Sequence, residues 1–105
     1  MLRSLSYAAH SGLNKYFAEN PDVEHSPACE AVTAWAMLWQ NSVSTAFLKS
    51  YREIIAANPA LLPPPQQSQA LLSAYLLEKA LYELLYELNN RPAWLRIPLS
   101  GILAL

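Results

Sequence analysis

The sequence predicts an all-α protein, with two long helices at about 27–57 and 66–90 and short helices flanking them. Three observations predict it. The stretch Gln66–Trp94 places leucines at i, i+3, i+4 and i+7, the spacing of an amphipathic helix. A second long run opens at Ser26-Pro27 and closes at Asn58-Pro59; serine suits the N-cap, proline suits N1, and proline disfavours α geometry in the residue ahead of it. Met1–Ala9 spaces Leu2, Leu5, Ala8 and Ala9 for one helical face.

In chain order, the Met1–Ala9 helix begins without an N-cap residue, so it reads as the second half of a longer helix. Gly12 is a candidate C′ residue that ends it. Leu13–Asn20 is a short helical continuation broken at Asn20-Pro21-Asp22, and Asn20–Ser26 reads as a polar loop. In the long helix that follows, Glu30 in the first turn complements the helix dipole. Its first half, Ala28–Trp39, is apolar nearly all round and is expected to be buried on most sides, with Trp35 and Trp39 in the core. Its second half turns Val43, Phe47, Tyr51, Ile54 and Ile55 inward and Lys49, Arg52 and Glu53 outward. Ala60–Pro65 is a stiff extended connector. After the helix ending near Asn90, Pro92–Arg96 forms a turn of helix, and the apolar tail Leu99–Leu105 needs a surface to pack on.

The helix at 66–90 divides into two sides. Leu77, Leu81, Leu84, Leu85 and Leu88, with Ala74, lie on one; Tyr75, Lys79, Tyr82, Glu83, Tyr86, Glu87 and Asn90 lie on the other. The leucine side calls for a core. Three tyrosines in register beside carboxylate, amide and guanidinium mean either half-buried packing with the hydroxyls bonded, or a wall whose flat rings meet the C–H face of a sugar while Glu, Asn and Arg match its hydroxyls. On periodicity alone packing is the better reading.

Apolar residues make up 53% of the 105 residues and charged residues only 14%, against a usual charged share of about 25%. A domain this small buries only roughly 60–65% of its unfolded surface, so some apolar faces are expected to lack partners within the chain. The net charge of −1, without a Lys/Arg cluster, argues against nucleic acid. Cys29 stands alone, which fits a reducing compartment, and Met1–Ala9 has no continuous apolar core of a signal peptide; a cytoplasmic location is expected. No stretch approaches the roughly 20 apolar residues that span a membrane. His10 and His25 have no ligand-type neighbours at metal spacing, so no metal site is predicted.

The string Lys79-Ala80-Leu81-Tyr82-Glu83-Leu84-Leu85-Tyr86-Glu87, then Arg91-Pro92-Ala93-Trp94 and Ile97-Pro98-Leu99, resembles the C-terminal end of bacterial maltokinases. With Asn89-Asn90 before Arg91-Pro92 it looks most like the maltokinase domain fused to trehalose synthase. Met1–Ala9 resembles the family's helix after its metal-binding loop, with Leu5 and Ser6 standing where members usually carry Phe and Asp. The resemblance is anchored at the two ends and thin over Gly12–Gln69. It implies the C-terminal part of the helical lobe of a protein-kinase-like, aminoglycoside-phosphotransferase-like fold, with 1–105 as one helical unit. The parent enzyme it implies uses ATP and Mg to convert maltose to maltose 1-phosphate in trehalose-to-glycogen metabolism. By the same resemblance Tyr82 and Tyr86 pack against the disaccharide, and Glu83, Glu87 and Arg91 occupy the polar positions of that sugar wall, contacting hydroxyls or bracing it.

Phosphoryl transfer needs a phosphate cradle, a metal-holding carboxylate and a positioning residue. Two distant glycines, Gly12 and Gly101, make no phosphate loop, and Asp22 is the only aspartate. The family's His-Gly-Asp and Asp-Phe-Glu loops fall upstream of Met1, so this chain by itself is predicted inactive, with no catalytic residue and no cofactor of its own. Its expected partners are a disaccharide and the remainder of the kinase lobe. A different class of function fits the same apolar surplus: a free-standing helical interaction module that dimerises through Trp35, Trp39 and the C-terminal tail.

Overall fold

A computed structural model describes residues 1–105 and is all-helical, without strands. Five α-helices follow in order: α1 (Leu2–Glu19), α2 (Pro21–Glu24), α3 (Ala28–Ile55), α4 (Pro65–Asn90) and α5 (Arg96–Leu103), with 3-10 turns at Pro59–Leu61 and Pro92–Trp94. The chain divides into two compact units, Met1–Ser50 and Tyr51–Leu105.

In the first unit α1 runs unbroken through Gly12, contrary to the expected stop there. Gly12 has no positive φ, so it is an ordinary interior helical residue, and a Cβ there would meet nothing within 4 Å. The helix ends instead at Asn20, whose φ of −134° and ψ of 65° leave the α region ahead of Pro21. The expected loop at Asn20–Ser26 contains the one-turn α2, with Pro21 at a position where its missing N–H costs nothing. Ser26 caps α3: its Oγ accepts the Ala28 N–H at 3.2 Å, and its carbonyl accepts the Cys29 N–H at 3.1 Å. Arg3, Ser6, Ala9 and Phe17 form the buried seam of α1. Ala8, Ala9 and Gly12 of α1 and Val32 and Ala36 of α3 line one apolar groove of about 370 Å³.

The interior expected around α3 is not there. None of its 28 residues is buried; Trp35 is 71% exposed, and Trp39, Tyr51 and Ile54 are exposed as well. Periodicity marks which residues share a face, but a face is buried only when another element covers it.

In the second unit, the stretch between α3 and α4 is part 3-10 turn, at Pro59–Leu61, and part extended, with Leu62 at φ −127°, ψ 139° and Pro64 at φ −50°, ψ 153°. Pro65 begins α4, and the Ser68 N–H bonds the Pro64 carbonyl at 2.9 Å. The far end stops at Arg91 (φ −144°, ψ 71°), ahead of Pro92. α5 and the Pro92–Trp94 turn fold back on α4, burying Ile97 and Pro98 and leaving Leu103 exposed.

The two-sided reading of α4 needs correction. Its buried seam is Ala80, Glu83 and Glu87, while Leu77, Leu81, Leu85 and Leu88 are exposed and Leu84 is half-buried. At 100° per residue the seam, the leucine stripe and the tyrosine stripe lie about 120° apart. The helix therefore has three faces, and the two apolar or aromatic ones both flank the seam that packs.

Candidate functional site: the tyrosine face of α4

Tyr75, Tyr82 and Tyr86 recur on one side of α4 and are 65%, 62% and 46% exposed. Each of the last two has a cation over its ring. Lys79 Nζ stands 4.7 Å from the Tyr82 centroid, one helical turn away. The Arg91 guanidinium stands 5.6 Å from the Tyr86 centroid and 4.5 Å from that of Trp94. Cations are drawn to the negative faces of aromatic rings, which limits how those rings rotate.

Glu87 fixes the guanidinium. Arg91 Nε donates to Glu87 Oε2 at 3.0 Å and Arg91 Nη2 to Glu87 Oε1 at 2.8 Å. This two-pronged match holds both planes in register. Glu87 is 1% exposed, and the Arg91 side chain is 46% exposed. One end of the pair is therefore anchored inside the protein while the other reaches the surface between Tyr86 and Trp94. The same turn is closed by the Arg91 N–H on the Glu87 carbonyl at 2.8 Å, a backbone bond that ends the helix.

The residues expected to form a sugar wall thus fall into two layers. Tyr82, Tyr86 and the Arg91 guanidinium reach the surface. Glu83 and Glu87 lie beneath it, 9% and 1% exposed, and both Glu87 oxygens are directed to Arg91. Trp94 was outside the expected set, although its place three residues after Arg91, across Pro92, could have signalled the stacking. Asn90 is exposed beside them, and its Nδ2 donates to the Tyr86 carbonyl at 2.8 Å.

No group of three or more His, Cys, Asp or Glu side chains gathers to hold a metal ion. His10 and His25 each donate from Nδ1 to a carbonyl one turn back, of Ser6 and Pro21, at 2.9 Å. Gly12 and Gly101 lie inside α1 and α5, so neither opens a loop of free N–H groups. No helix is long and apolar enough to cross a membrane.

No protein-family model matches the chain, and no solved structure gives a significant match.

Proposed function

We propose that this chain is the non-catalytic, sugar-facing C-terminal segment of a maltokinase-like helical lobe, of the kind fused to trehalose synthase. The observation that carries the reading is the pair of exposed tyrosine rings one turn apart on α4, each with a cation over it. Exposed rings on a rigid helix offer a disaccharide an apolar platform, and a half-exposed guanidinium beside them offers donors to its hydroxyls. In this reading Tyr82 and Tyr86 contact the sugar, Arg91 contacts it or sets the Tyr86 ring, and the buried Glu87 holds Arg91. Glu83 supports the wall from below. ATP and magnesium belong to loops beyond these residues.

The test uses an enzyme in which this segment follows the nucleotide and metal loops. Tyr86→Phe and Tyr82→Ala are expected to raise the KM for maltose more than the KM for ATP. Equal changes in both would mark a folding defect and remove the binding role.

A second reading rests on a separate observation, the exposure of Trp35 (71%) and Leu103 (87%). A helical interaction module would cover them in a dimer. Sedimentation of the chain, with Trp35→Ser as control, separates the two: a dimer dissolved by that substitution favours the module. A reading frame that continues upstream into His-Gly-Asp and Asp-Phe-Glu loops favours the kinase lobe.

A further inference from the structure

We infer that the segment joining α3 to α4 forms a binding site for a small aromatic carboxylate. The chain leaves α3 there through Asn58 and a run of prolines, which line a half-open groove of about 790 Å³. That size falls within the roughly 300–1,000 Å³ usual for small-molecule sites. Ile55, Leu62, Pro63 and Pro64 supply apolar walls. Proline fixes φ, so these walls keep their shape before a ligand arrives and little ordering is lost on binding. Ser68 Oγ donates to the Pro63 carbonyl at 2.6 Å, which ties the proline wall to the first turn of α4.

The charge of the ligand follows from Arg52. It is the only charged side chain lining the groove. Its Nη2 donates to Gln69 Oε1 at 3.2 Å, so α4 steadies a guanidinium that projects from α3. A guanidinium has five N–H donors in a planar fork, and no carboxylate lines this groove to take the rest. A cation with spare donors beside apolar walls selects an anion with an apolar body. A carboxylate matches the fork with two parallel hydrogen bonds, and a flat ring fills the space along Pro63, Pro64 and Ile55. The site shares no residue with the tyrosine face, so its success or failure is separate from the sugar reading.

The experiment titrates the full chain with 2-naphthoate and, in parallel, with its neutral counterpart 2-naphthalenemethanol, following backbone amide shifts. Saturable naphthoate binding with shifts centred on residues 52–69 is expected. Arg52 is exposed, so Arg52→Gln keeps the fold; it is expected to weaken naphthoate about tenfold while leaving the neutral probe unchanged. Ile55→Trp fills the groove and weakens both probes. Absence of saturable shifts, shifts centred on the α4 tyrosines, or equal weakening of both probes by Arg52→Gln would each overturn the inference.

Discussion

The last turn of α4 and the whole of α3 make an instructive pair. α3 is the longer helix and the more apolar in its first half, yet no residue along it is buried. The end of α4 is rich in charged and polar side chains, yet it holds the most enclosed carboxylate of the chain, Glu87, on the same buried seam as Ala80 and Glu83. Apolar content raises the free energy gained if a face is covered; it does not supply the cover. At the end of α4 a proline turn sends the chain back, and α5 returns onto the helix. The paired charges then become a fixed joint rather than a surface decoration.

The comparison can be broken most sharply at Arg91. Arg91→Ala leaves Glu87 enclosed without its two-pronged partner and is expected to destabilise by about 2–3 kcal/mol, seen as a lower urea midpoint by circular dichroism. A loss below half a kcal/mol would mean that the joint is solvated in solution. Ala80 is fully enclosed; Ala80→Leu is expected to overpack the seam at a cost of about 1–3 kcal/mol in the same measurement. On the α3 side, Ser26→Ala removes the acceptor of the Ala28 N–H and is expected to cost about 1 kcal/mol. Smallest of all, Trp35→Ala is expected to shift stability by no more than about 0.5 kcal/mol, because an exposed side chain has little packing to lose. A cost of several kcal/mol there would show that α3 finds a cover in solution and would erase the contrast.

Helix class and most helix ends are legible in the sequence because their signals are local. Pro21, Pro59 and Pro92 each expel the preceding residue from α geometry, and Ser26 carries its own cap. Gly12 misleads because a glycine ends a helix only where the chain turns, and here α1 continues. Burial is less legible, since it depends on residues distant in sequence. The leucines of α4 look like the core side and are exposed, while Glu83 and Glu87 look like the wet side and are enclosed. A glutamate four residues before an arginine does suggest an ion pair, but nothing in that spacing reveals that one partner is sealed in. The exposed tyrosines could be read from periodicity as a stripe; the stacking of Trp94 under Arg91 needs the Pro92 turn and appears only in three dimensions.

The uninterrupted passage of α1 through Gly12 has a dynamic consequence. Glycine in a helix interior is about 1 kcal/mol less favourable than alanine, and Ser11 and Gly12 are both exposed. Amide protons in this middle turn are therefore expected to exchange with deuterium faster than those of Ser6–Ala9. Gly12→Ala should slow that exchange, because the added methyl meets no neighbour. The weak link in this rod would then lie midway along it, away from its frayed ends.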